Sequence, residues 1–141
     1  MNPEKKEIKV SKPIDQLKLF GYENYFTDFI SMYKNNKLPN VILLSGPKGY
    51  GKSTFVYHFI NYLLSSDEEN NYSLDKYEIN SSNFSYKLIQ NKIHPNLYII
   101  ENSEKEENIK IEQVRSCLKY LRKSTYQRNL RIVLIDNAEN L

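Results

Sequence analysis

Cysteine is nearly missing from this sequence, tryptophan is missing altogether, and glycine is used four times in 141 residues. The single thiol, Cys117, excludes an internal disulfide framework and a multi-cysteine zinc site, and it fits a reducing compartment. Long apolar runs are missing too. Nothing approaches the roughly 18 residues that a membrane span needs, and residues 1–12 are charged, without the apolar centre of a signal peptide. A one-sided charge is also lacking, since a net charge of +3 is too small to imply nucleic acid or an anionic membrane by itself. These absences lead to the expectation of a soluble, cytoplasmic protein with no membrane partner.

What is present is the composition of a globular domain: 40% hydrophobic and 26% charged residues, at a length that allows one hydrophobic core. Residues 1–12 are polar and basic, with Pro3 inside the stretch and Pro13 after it, and are expected to form a flexible arm. Residues 13–141 are expected to form the folded part of the chain. Phe26, Phe29, Ile30 and Tyr33 lie at helical spacing between Gly21 and Pro39. Residues 41–44 form a short apolar run read as a buried strand, and a helix with Phe55, Val56, Phe59, Ile60, Leu63 and Leu64 on its apolar positions begins near Lys52. Residues 65–82 are acidic, rich in Asn and nearly aperiodic, so they read as a surface excursion. A short helix over residues 84–93, a second strand at 97–100, a charged loop at 102–108, an amphipathic helix carrying Ile111, Val114, Leu118 and Leu121 and ending near Ser124, and a third strand at 132–135 complete the chain. Alternating short apolar strands and helices predict an α/β fold with a parallel sheet covered on both faces.

The segment between the first strand and its helix reads Gly46-Pro47-Lys48-Gly49-Tyr50-Gly51-Lys52-Ser53-Thr54 and matches G-x-x-x-x-G-K-[ST] in full. Phosphate needs several donors close together, and backbone N–H groups supply them in a curled loop that glycine permits. The helix start adds the positive end of its dipole. Lys52 is expected to reach the β- and γ-phosphates of ATP, and the Ser53 hydroxyl to coordinate Mg²⁺. Three of the four glycines fall inside this loop, which argues against accident.

The third strand closes on Asp136, the form of a Walker B strand, which puts the aspartate at the carboxyl edge of the sheet, where it is expected to hold Mg²⁺ through its water shell. Many ATPases follow that aspartate with a glutamate that polarises water. Here the position is Asn137, and Glu139 lies two residues further on, so binding without efficient hydrolysis is expected and no catalytic residue is assigned.

Taken in order, Leu19-Phe20-Gly21-Tyr22-Glu23, Leu38-Pro39-Asn40, the loop from Gly46 to Thr54, His94-Pro95-Asn96-Leu97, Ile111-Glu112-Gln113-Val114-Arg115 and Ile135-Asp136-Asn137-Ala138-Glu139 resemble the delta prime subunit family of bacterial DNA polymerase III. These are clamp-loader proteins of the AAA+ class, and the resemblance runs over about residues 13–141. It implies a P-loop NTPase three-layer sandwich of AAA+ type, incomplete at the C-terminus. It also implies a hetero-oligomeric ring with other clamp-loader subunits, a sliding clamp as partner, and primed DNA met through the complex. Many relatives carry a zinc-binding cysteine module after the P-loop helix; with no cysteine there, no zinc is expected. Leu19 and Phe20 fall where the family closes over the adenine. Relatives are roughly twice this length or more, so the resemblance implies a fragment or truncated product that lacks the sensor residues and the arginine reaching a neighbouring site. In the AAA+ order the strands at 97–100 and 132–135 pair in parallel, while residues 41–44 lie across a one-strand gap, roughly 9.6 Å away.

Two other functions stay open. An ATP-hydrolysing motor subunit of the clamp loader would need a glutamate in place of Asn137, and a small P-loop kinase would need an arginine-bearing lid. His94 reads as a turn residue, His58 as a partly buried residue without chemistry, and Cys117 as a small hydrophobe. Lys119, Arg122, Lys123, Arg128 and Arg131 read as a solvated basic face.

Overall fold

The computed structural model describes residues 11–102, 108–123 and 130–138. A 3₁₀ turn at Pro13–Asp15 leads to four helices and two strands: α1 (Glu23–Lys34), α2 (Lys52–Leu64), α3 (Phe84–Gln90), β1 (Leu97–Ile100), α4 (Ile111–Arg122) and β2 (Ile132–Ile135). Arg128, Glu139, the expected N-terminal arm up to residue 10 and most of the charged loop lie outside the described residues.

Helix α2 is the axis of the molecule. Its apolar positions continue round most of the helix, and Phe55, Tyr57, Phe59, Ile60, Leu63 and Leu64 are all buried, as a helix packed on several sides requires. One flank meets α1. Phe26 of α1 is fully buried and touches Phe55 and Phe59 edge-to-face, with ring centroids 5.9 and 6.0 Å apart, the geometry that aromatic quadrupoles favour. The other flank meets the sheet, where Tyr57, Ile60 and Leu64 pack with Ile89 of α3 and Leu97 of β1. Helix α1 closes in a Schellman turn: Lys37 donates to the Met32 carbonyl at 2.8 Å, and Asn36 takes the left-handed conformation at φ +54°.

The strands pair in parallel, Leu97 opposite Ile132 through Ile100 opposite Ile135, as the sequence predicts. Period-2 alternation turns Leu97 and Ile99 toward α2, while Tyr98 meets Tyr120 of α4 with ring centroids 5.3 Å apart. The sheet therefore carries helices on both faces. Among the described residues it has two strands, so it is a small α/β unit, coarser than the full three-layer sandwich expected.

Residues 41–44 correct the sequence reading. They join no strand, and Val41, Ile42 and Leu43 are exposed, with only Leu44 leaning on the core. An apolar run becomes a strand only when a neighbour accepts its hydrogen bonds. Among the described residues β1 and β2 are laddered only to each other, and no backbone hydrogen bond joins residues 41–44 to either. The segment is therefore not laddered to β2, which removes the direct pairing that a kinase-type order would show.

Residues 65–82 need a second correction. Tyr72 and Ile79 are buried in the α1–α2 core, and Ser73 and Glu78 exchange backbone hydrogen bonds of 3.0 and 3.2 Å. Lys18 and Glu78 form a short antiparallel bridge, in which Leu19 donates to the Tyr77 carbonyl and Ile79 to the Leu17 carbonyl. Within the segment the Tyr72 N–H donates to Ser65 Oγ at 3.1 Å, and polar groups at its borders are paired too. The Asn61 and Asn83 side-chain amides exchange two bonds of 3.2 Å, and Asn83 caps α3 by accepting from the Tyr86 N–H at 2.8 Å. Helix α4 forms where the sequence predicts it, with its stripe of Ile111, Val114, Leu118 and Leu121 exposed and its contact with the sheet made through Cys117 and Tyr120.

Candidate nucleotide site

The loop from Gly46 to Thr54 runs into the start of α2 without a capping side chain. Gly51 is the N-cap residue at φ +80°, where a Cβ-bearing residue is strained, and Gly49 sits at φ +86°. Ser, Thr, Asp or Asn at an N-cap accepts from the first helical N–H groups; glycine leaves them unclaimed. No acidic side chain occupies the first turn of α2 either. The helix thus presents a row of amides and its positive end to whatever lies in front of it.

Gly46, Pro47, Lys48, Gly49 and Tyr50 are exposed, and Gly51, Lys52, Ser53 and Thr54 are half-buried. The Lys52 ammonium donates to the Gly46 carbonyl, so the side chain folds back across the loop. Tyr22, from the start of α1, donates its hydroxyl to the Tyr50 carbonyl.

The structure brings together the two residues expected to share Mg²⁺, although they stand 83 positions apart. Ser53 Oγ donates to Asp136 Oδ1 at 3.3 Å. Two elements create this contact. Helix α2 places Ser53 in its first turn, and β2 delivers Asp136 at the carboxyl edge of the sheet, where the Asp136 N–H extends the ladder to the Ile100 carbonyl at 2.9 Å. The same carboxylate oxygen accepts from the Asn137 N–H at 3.0 Å, with Asn137 left-handed at φ +56°. A hydroxyl and a carboxylate are hard oxygen donors that suit Mg²⁺. Among the described residues there is no group of three or more His, Cys, Asp and Glu able to hold a metal.

Sequence reasoning missed two residues near this edge. Glu101 follows β1 as Asp136 follows β2, so the register puts it beside Asp136; it pairs with Lys92. Tyr57 of α2 feels both carboxylates: burial first, then Glu101 and Asp136, push its hydroxyl well above the usual tyrosine value. The signal for Glu101 was a carboxylate at the end of a second apolar run. Of the two residues expected near adenine, Leu19 belongs to the core and Phe20 stands exposed beneath the Lys18 ammonium, 5.5 Å from the ring centroid.

The histidines are structural. His58 is fully buried: Nε2 donates to the Gln16 carbonyl at 2.8 Å, which leaves Nδ1 to accept from the Tyr72 hydroxyl at 2.7 Å. Burial holds its pKa down at about 4, against the helping Gln16 carbonyl. His94 Nδ1 accepts from the Asn96 N–H at 3.1 Å within the turn before β1, and burial lowers its pKa too, opposed by Glu68. Cys117 is buried, and desolvation raises its thiol. Arg131 is not part of a free basic face; it donates to the Tyr120 carbonyl at 2.7 Å and lies over the Tyr120 ring.

A family model described as DNA polymerase III, delta subunit, matches residues 21–141. The chain belongs to that family. The DNA polymerase III delta family match takes in the whole phosphate loop, Ser53 and Asp136, and it makes the protein a clamp-loader-type subunit of the replication machinery. A comparison with curated proteins finds no match. Among the described residues of this DNA polymerase III delta family member, no helix is long and apolar enough to cross a membrane.

Proposed function

We propose that the chain is a delta prime-like, AAA+ subunit of a DNA polymerase III clamp loader that binds ATP with Mg²⁺ and hydrolyses it slowly or not at all. The observation that carries this reading is the 3.3 Å contact between Ser53 and Asp136, which joins the phosphate loop to the end of the third apolar run. In this reading the amides from Gly49 to Thr54 surround the phosphates, Lys52 moves from the Gly46 carbonyl to the β- and γ-phosphates, and Ser53 and Asp136 hold Mg²⁺. The metal supplies charge neutralisation on the phosphate oxygens. Asn137 is a neutral amide that takes no proton, which supports binding without efficient turnover. The family context supports a hetero-oligomer with other clamp-loader subunits, acting in the cytoplasm on a sliding clamp and on primed DNA through the complex.

Replacing Lys52 tests the site. Lys52→Ala removes the charge facing phosphate and no core contact, so it is expected to abolish binding of a fluorescent ATP analogue while circular dichroism and melting stay those of the parent. A folded variant that binds as tightly as the parent refutes the assignment.

A further inference from the structure

The phosphate loop is gripped from outside by a residue that the nucleotide reading does not use. Tyr22 stands at the N-cap of α1 and donates its hydroxyl to the Tyr50 carbonyl, 28 residues away. Packing fixes the ring independently of that bond. It lies edge-on to Phe55 of α2 at 5.9 Å between centroids and beside Tyr25 at 6.3 Å. Its edge closes on the loop, since a Cβ on Gly51 would sit 3.5 Å from Tyr22 Cε2. The approach is set just before it, where Gly21 turns at φ +83° and donates its N–H to the Glu23 carboxylate at 3.3 Å.

The consequence follows from peptide geometry. The bond joining Tyr50 to Gly51 is planar and trans, so its C=O and N–H point in opposite directions. A hydroxyl that holds the Tyr50 carbonyl on the α1 side therefore directs the Gly51 N–H away from α1. Gly51 is the N-cap of α2, so this amide heads the row that the helix start presents. A loop with glycine at three of six positions from Gly46 to Gly51 has much backbone freedom to lose on binding, and holding one peptide in advance lowers that loss.

We propose that Tyr22 is a positioning residue for the phosphate loop, its hydroxyl fixing the Tyr50–Gly51 peptide so that the Gly51 amide faces the nucleotide phosphates. This rests on the ATP-binding reading and goes beyond the motif, because Tyr22 lies outside it. Tyr22→Phe keeps the ring against Phe55 and removes only the hydroxyl. Two measurements on the full chain separate the roles: amide hydrogen exchange over the loop without nucleotide, and titration with the fluorescent ATP analogue. Tyr22→Phe is expected to speed loop exchange and to weaken the analogue roughly three- to tenfold, the effect of one net hydrogen bond, and to lower the melting temperature by no more than the few degrees that the same bond accounts for. Tyr22→Ala is expected to lower the melting temperature further, since the ring contacts go with the hydroxyl. Unchanged loop exchange in Tyr22→Phe overturns the proposal, and so does faster exchange with unchanged affinity. If the parent itself binds no analogue, the ATP reading fails, and the exchange comparison still decides whether Tyr22 orders the loop.

Discussion

Lowering the pH from neutral to about 5 is expected to destabilise the chain through His58. The ring is fully buried between α2, the Tyr72 hydroxyl and the Gln16 carbonyl, and its one proton is already committed on Nε2. A second proton would put a charge where no carboxylate is hydrogen-bonded to it. Burial holds the folded pKa at about 4, whereas the unfolded chain titrates near 6.5. Between these values the unfolded state binds more protons, so stability is intact above the unfolded pKa and falls as the pH drops through the window. The slope approaches about 1.4 kcal/mol per pH unit, and the loss between neutral pH and 5 comes to about 2 kcal/mol. That is a sizeable part of the 5–15 kcal/mol typical of a domain. Tyr72 does not titrate in this range, because burial raises its hydroxyl further above the usual value. His94 is shifted in the same direction, so the parent alone does not isolate His58. The assay is urea unfolding followed by circular dichroism at several pH values, on the parent and on His58→Gln, which carries no titrating ring. The variant is expected to be less stable at neutral pH but to lose about 2 kcal/mol less on acidification. Equal pH slopes for the two proteins would refute the buried, neutral histidine.

Phe26 sits at the centre of the α1–α2 aromatic cluster with no exposed surface, so Phe26→Ala should cost about 3–5 kcal/mol, measured by the same unfolding curves; a loss below about 1 kcal/mol would mean the cluster is not packed as described. ATP turnover by the parent is expected to be very slow, and Asn137→Glu is the variant expected to raise it. The same substitution should also lower stability by about 1 kcal/mol, since glutamate tolerates the left-handed backbone at φ +56° less well than asparagine. A brisk, Lys52-dependent rate in the unmodified protein would sink the non-hydrolysing reading and favour a motor subunit.

Local chemistry was legible in the sequence wherever a residue's role depends on its neighbours along the chain. The glycines of the phosphate loop, the apolar repeat of α2 and the two four-residue runs that became β1 and β2 are of this kind, because backbone conformation and period are local properties. Residues 41–44 show the limit: the same apolar composition made no strand, since a strand requires a partner supplied by distant chain. The aperiodic stretch at 65–82 shows the converse. Tyr72 and Ile79 carry no repeating pattern, yet they enter the core because α1 and α2 leave space for them, and the bonds of Tyr72 to His58 Nδ1 and Ser65 Oγ make its burial tolerable. For the site, sequence alone nominated Ser53 and Asp136 separately. Only the packing of α2 against the sheet decided that they meet, that Glu101 lies beside them, and that Tyr22 reaches over to hold the loop, because each of these contacts joins residues that chain order keeps far apart.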